Sequence, residues 1–120
     1  MTFEWAVALA DISADEGTAV TIGDHDVVVA RCGDGDDTQV VALQDRCSHE
    51  EIPLSDGEVD GCEIECCLHG SMFDLRSGKP TNLPATEPVA TFPVELRPNE
   101  AGGTDVYVDT TTTLNGVTPS

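Results

Sequence analysis

Cys47-Ser48-His49 and, after residues 50–65, Cys66-Cys67-Leu68-His69-Gly70-Ser71-Met72-Phe73-Asp74 hold three of the five cysteines and two of the three histidines in this 120-residue chain. The pattern is C-x-H, sixteen residues, C-x-x-H. Each segment offers a thiolate and an imidazole on a short loop, so two loops can converge on one site. Cys and His clustered at such spacing point to a metal centre rather than to core packing. Two thiolates and two imidazoles suit a tetrahedral zinc ion. They equally suit a [2Fe–2S] cluster with two Cys on one iron and two His on the other. Zinc loops usually pair Cys with Cys and His with His, whereas each loop here mixes them. Spacing alone leaves a choice between Cys66 and Cys67, because Cys67-Leu68-His69 repeats the C-x-H spacing of the first loop.

Outward from these loops the chain reads as short strands broken by turns. Cys62, Ile64 and Cys66 alternate with Glu63 and Glu65, the period of a half-buried strand. Alternation therefore favours Cys66 over Cys67 as the inward thiol. Thr18-Ala19-Val20-Thr21-Ile22 precedes Gly23-Asp24, a two-residue hairpin signal, with 25–31 as the return strand. Residues 33–37 form a Gly/Asp turn and 38–43 the next strand. Phe92-Pro93-Val94-Glu95-Leu96 and Val106-Tyr107-Val108 are the last two. Residues 12–17 suit one helical turn capped by Ser13. His25 is expected to be exposed at a hairpin end. Together these features predict an antiparallel all-β architecture in one domain over 1–108, with a Thr-rich tail, 109–120, that frays.

The charge balance narrows the partners. There are 23 acidic residues against 5 Lys and Arg, a formal net charge of −18. Nucleic acid is not expected to bind, because phosphate contacts need Lys and Arg. Anionic membrane surfaces are disfavoured for the same reason. The acidity either steers a basic partner or serves solubility. Residues 5–10 are too short an apolar run for a secretory signal, so a cytoplasmic location is expected. In that compartment the cysteines read as ligands or small core residues before they read as disulfides. Cys62 and Cys32 are accordingly expected to pack in the core.

The constellation resembles the Rieske iron–sulfur proteins. Their two-part motif is carried here by Cys47, His49, Cys66 and His69. Gly70-Ser71-Met72-Phe73-Asp74, Gly78-Lys79-Pro80 and Leu83-Pro84-Ala85 then follow as in the family. The likeness covers about residues 3–108 and is densest over 46–94. It implies one [2Fe–2S] cluster per chain, with Cys47 and Cys66 on one iron and His49 and His69 on the other. It implies stacked antiparallel sheets with a cluster-binding subdomain formed by two loops. Where Rieske proteins of respiratory and photosynthetic complexes carry a disulfide between the loops, this chain has Ile52 and Leu68. Where those proteins place a Tyr hydroxyl on a ligand sulfur, it has Phe73. No membrane anchor is expected. What remains is similar to the soluble ferredoxins of ring-hydroxylating oxygenases.

That likeness implies a one-electron carrier with no catalysis of its own, passing electrons from a reductase to a terminal oxygenase. The imidazole edges of His49 and His69 would form the docking tip. Two alternatives stay open: a Rieske protein of cluster assembly or redox sensing, and a zinc-stabilised interaction module. Charge counting explains the mixed ligands. Two ferric ions, two sulfides, two thiolates and two neutral imidazoles sum to zero, and one electron makes the site −1. Four thiolates would run from −2 to −3, which opposes reduction. Histidine ligation therefore raises the potential from roughly −400 mV toward about −150 to +300 mV. With Phe73 unable to donate to a sulfur, and an acidic surface around it, the low end is expected.

Overall fold

The computed structural model describes residues 3–12, 17–23, 25–32, 39–45, 54–65, 72–75, 77–81 and 88–117. Ten strands lie among them. In chain order they are β1 (Glu4–Ala8), β2 (Thr18–Ile22), β3 (His25–Cys32), β4 (Gln39–Gln44), β5 (Val59–Asp60), β6 (Glu63–Glu65), β7 (Met72–Asp74), β8 (Thr91–Phe92), β9 (Val94–Pro98) and β10 (Thr104–Val108). They form three antiparallel sheets, ordered β1-β10-β9, β2-β3-β4-β8 and β5-β6-β7. The all-β expectation therefore holds.

β3 explains how the sheets stack. Val27, Val28, Val29 and Ala30 are all fully buried, as a strand covered on both faces requires. Alternation sends them to opposite faces. Val27 and Val29 belong to a core with Ala6, Val7, Phe92, Val106 and Val108, against the β1-β10-β9 sheet. Val28, Ala30 and Cys32 belong to a second core with Leu54, Ile64, Phe73 and Leu75, against the β5-β6-β7 sheet. The four-stranded sheet is thus the middle layer.

Cys32 lies on the face that meets the small sheet, and there it is joined to Cys62 as a disulfide, with Cα atoms 4.5 Å apart. This corrects the expectation of two unpaired core cysteines. Both do sit in or against the buried cluster, so the packing was read rightly and the pairing missed. The physical reason is the period of two. Position 32 shares a face with 28 and 30, and the turn between β5 and β6 carries Cys62 beneath it.

Other expectations differ in the structure. Residues 92–96 are not one strand. Pro93 has no N–H for a ladder bond. The chain leaves the middle sheet at Phe92 and enters the β1-β10-β9 sheet at Val94. A short 3-10 turn forms at Leu9–Asp11, while Ser13 and its expected turn lie outside the described residues. His25 is half-buried, its ring 6.3 Å from that of Phe92.

Residues 109–117 do not fray. Asn115 Nδ2 donates to the Ser77 and Val89 carbonyls, each at 2.8 Å. Leu114 N donates to the Thr91 carbonyl at 2.8 Å. β1 escaped the sequence reading because a register shift between Trp5 and Val7 breaks its alternation. That bulge leaves Trp5 exposed and Ala6 and Val7 buried side by side.

Candidate iron–sulfur centre

Cys47, His49, Cys66 and His69 lie outside the described residues, as do Cys67 and Ser71. What the structure does place is the ring of residues from which their loops spring. The first loop leaves the end of β4 at Asp45 and re-enters at Leu54, which opens a 3-10 turn, Leu54–Asp56. Asp45 is buried, and its carboxylate closes the loop. Ser55 N donates to Asp45 Oδ1 and Ser55 Oγ to Asp45 Oδ2, both at 2.7 Å. Asp45 N in turn donates to the Asp26 carbonyl at 2.9 Å, which fixes the clamp to the middle sheet. Two short bonds to an ionised acceptor are of the stronger kind.

The second loop leaves β6 at Glu65 and returns on β7 at Met72, and these two residues pair across the ladder. Ile64 is fully buried between the half-buried Glu63 and the exposed Glu65. This alternation is the one expected for the segment that leads into Cys66. A third segment, 82–87, includes Leu83-Pro84-Ala85 and also lies outside the described residues. Its roots are placed: Thr81 N donates to the Met72 carbonyl at 2.8 Å, and Thr81 Oγ1 to Glu63 Oε2 at 2.6 Å. At its far end Val89 N donates to the Gly78 carbonyl at 2.8 Å. Gly78 has φ +75°, a left-handed turn that favours glycine. The return of the first segment at Ser55 and Gly57, both roots of the second and the start of the third at Thr81 therefore meet at one end of the β5-β6-β7 sheet. The Cys32–Cys62 bridge holds the opposite end, at the β5–β6 turn.

The donor chemistry of the chain fits a [2Fe–2S] cluster with two Cys and two His ligands. The disulfide removes Cys32 and Cys62 from the possible ligands. That leaves Cys47, Cys66 and Cys67 for the two thiolate positions. The His25 backbone pairs with Ile22 in the middle sheet, and its ring lies 6.3 Å from that of Phe92. The chain's other two imidazoles are His49 and His69. Among the described residues no group of three His, Cys, Asp or Glu side chains could hold a metal ion.

Phe73 is fully buried at the centre of β7, in one buried cluster with Leu54, Ile64 and Leu75. No sulfur receives a hydroxyl from this position. A midpoint potential on the order of −150 mV is therefore expected. Phe73→Tyr is expected to raise it, because a hydrogen bond to a ligand sulfur favours the more negative, reduced state. One bond of about 1 kcal/mol corresponds to a rise of roughly 50 mV for a one-electron couple. Redox titration followed by circular dichroism checks both numbers. A wild-type midpoint well above zero would show that Phe73 does not govern the potential.

Comparison with known proteins gives the family. The Rieske [2Fe–2S] domain model matches residues 3–93. The anthranilate 1,2-dioxygenase ferredoxin subunit of Burkholderia cepacia is 39% identical over 90 residues, covering 74% of this chain and 79% of that one. Among solved structures, the ferredoxin of carbazole 1,9a-dioxygenase from Nocardioides aromaticivorans superposes with a TM-score of 0.77 at 34% identity. That match covers 90% of this chain and 97% of the other. A ferredoxin solved in complex with its oxygenase, from carbazole 1,9a-dioxygenase, superposes with a TM-score of 0.74 at 34% identity, covering 88% and 100%. These matches set the zinc alternative aside. The chain belongs to the Rieske [2Fe–2S] domain family, and it is similar over most of its length to dioxygenase ferredoxins.

Proposed function

We propose that this chain takes single electrons from a reductase and delivers them to the terminal oxygenase of a ring-hydroxylating system, through Cys47, His49, Cys66 and His69. The observation that carries the reading is that the described roots of both ligand-bearing segments, Ser55 with Gly57 and the Glu65–Met72 pair, meet at one end of the small sheet, on a chain similar to dioxygenase ferredoxins over most of its length. When bound, the cluster supplies a one-electron couple. The protein's part is to hold it and present it. Cys47 and Cys66 would hold one iron and His49 and His69 the other, with the two imidazoles as the side offered to the partner. The Asp45–Ser55 clamp, the Glu65–Met72 pair and the Thr81 bonds keep the three supporting segments in register.

The reading includes a cytoplasmic location. Among the described residues no helix is long and apolar enough to cross a membrane. A disulfide is unusual in that compartment, and Cys32 is fully buried, away from small thiols.

The net charge of −18 bears on how the partner is met. Arg31 and Arg97 are committed elsewhere. Arg31 Nη2 donates to the Leu9 carbonyl at 2.8 Å. Arg97 Nε donates to Glu95 Oε1 at 2.9 Å and its guanidinium lies 4.3 Å above the Tyr107 ring. That hydrogen bond holds the Glu95 carboxyl below its ordinary range. Arg31 lies on β3 of the middle sheet and reaches the turn after β1, and Arg97 lies on β9. Lys79 is exposed beside the small sheet, its carbonyl accepting from Asp74 N at 2.8 Å.

The acidic body then steers a basic partner at long range. Steering acts on the association rate and fades as the Debye length shrinks from about 30 Å at 0.01 M salt to about 10 Å at 0.1 M. Stopped-flow electron transfer to the oxygenase at limiting protein is expected to slow as salt rises. A second-order rate that is flat or rising with salt would leave the acidity without a part in recognition. Failure of every dioxygenase to accept electrons would overturn the function itself.

A further inference from the structure

At Gly57, beside the small sheet, two backbones approach more closely than any side chain would allow. A Cβ built on Gly57 would lie 1.6 Å from the Glu65 carbonyl oxygen and 2.7 Å from its carbonyl carbon. Both are backbone atoms, so no rotamer change relieves the clash. Gly57 has no left-handed φ to explain its identity. It is glycine because of what it faces. Glu65 contributes that carbonyl to the peptide bond leading into Cys66. Gly57, for its part, closes the return of the first loop: its N–H donates to the Leu54 carbonyl at 3.0 Å. Two residues earlier, Ser55 is held by the Asp45 carboxylate. One residue later, the Glu58 carbonyl accepts from Glu65 N at 2.9 Å. A continuous path of short contacts therefore runs from β4 through Asp45, Ser55 and Gly57 to Glu65, joining the root of one ligand loop to the root of the other.

We propose that Gly57, braced by the Asp45–Ser55 clamp, is the positioning residue that sets the gap between the two cluster-bearing loops. This rests on the ligand assignment made above and adds to it the element that fixes the separation of Cys47 and His49 from Cys66 and His69. A side chain at position 57 would push the Glu65 peptide away and widen the gap. A cluster bridging both loops is held from two sides, so its geometry and its retention both depend on that gap.

Gly61 supplies the control. It lies in the β5–β6 turn at the opposite end of the small sheet, has φ +61° and has open space around its Cβ direction. Gly61→Ala strains the backbone without touching the loop gap. Gly57→Ala is expected to shift the electron paramagnetic resonance g-values of the reduced protein. It is also expected to speed iron loss to a chelator by about ten- to a hundredfold, the usual scale for losing a supporting contact of a metal site. Gly61→Ala is expected to lower the melting temperature while leaving the g-values at their wild-type positions. Ser55→Ala removes one bond of the clamp and keeps the glycine. It covers the case in which Gly57→Ala does not fold, and it is expected to speed iron loss by a smaller factor with a smaller g-shift.

Wild-type g-values and iron loss in Gly57→Ala would overturn the spacer role. So would unchanged values in Ser55→Ala if Gly57→Ala does not fold. Equal g-shifts in Gly57→Ala and Gly61→Ala would overturn it too, by showing a general loosening. A wild-type protein without iron and sulfide would instead sink the ligand assignment on which the role depends.

Discussion

Purified aerobically, the protein is expected to be red-brown and to carry about two irons and two acid-labile sulfides per chain. Cys66→Ser is expected to lose both, and Cys67→Ser to keep both with a nearly unchanged spectrum. The contrast follows from the small sheet. Ile64 is fully buried and Glu65 exposed on β6, so even-numbered positions face inward as the chain enters the loop. The same alternation, carried forward, favours the thiol of Cys66 over that of Cys67. Losing one of four ligands takes away the charge that neutralises the cluster and opens an iron to solvent, so the effect is close to all or none. Iron and sulfide assays on the two variants decide it. Loss of the cluster in Cys67→Ser with retention in Cys66→Ser would mean that the chain twists between β6 and the loop, reversing which thiol is used.

Most of the middle layer was legible because its physics is local. The Val27–Ala30 run is strand-sized and follows a Gly-Asp turn, and β2, β3 and β4 fall within a residue of where the turn signals put them. The ligand segments were legible because mixed Cys/His loops are chemically unusual, and the family match spans both. The features that escaped depend on contacts distant in sequence. The carboxylate of Asp45 has no local reason to close a loop until Ser55 is brought beside it. Gly57 reads as one more turn glycine until Glu65 is laid against it. Phe92 and Val94 look like one strand unless Pro93 is seen as the point where the chain changes sheets. Asn115 reads as part of a polar tail, yet it spans Ser77 and Val89 and ties the end of the chain to the turn after β7. In each case the missing information was a partner, not a propensity.

The disulfide gives the second large effect. Cys32 and Cys62 are 30 residues apart, and the loop they close contains β4 and the whole first ligand loop. Closing a loop of that length stabilises by about 3–4 kcal/mol in the chain-entropy view, because it restricts the unfolded chain. For a domain of this size that corresponds to a drop in melting temperature on the order of 10 °C when the bridge is removed. The Cys32→Ala/Cys62→Ala double variant is therefore expected to melt well below wild type. Its visible circular dichroism and g-values are expected to stay in place, because the bridge holds the turn end of the small sheet and the ligand loops spring from the other.

Alkylation of the unfolded, metal-free wild type without reductant is expected to modify three thiols, the five cysteines less the bridged pair. Five modified thiols would show that Cys32 and Cys62 are reduced in the protein as purified. Their contribution would then be limited to filling the core between the middle and small sheets. A double variant that melts with wild type would mean that the interface of Val28, Ala30, Leu54, Ile64 and Phe73 holds the two sheets together without help. A double variant that loses its cluster would mean that the two ends of the small sheet are mechanically coupled, and that the bridge holds the Gly57–Glu65 approach in place from behind.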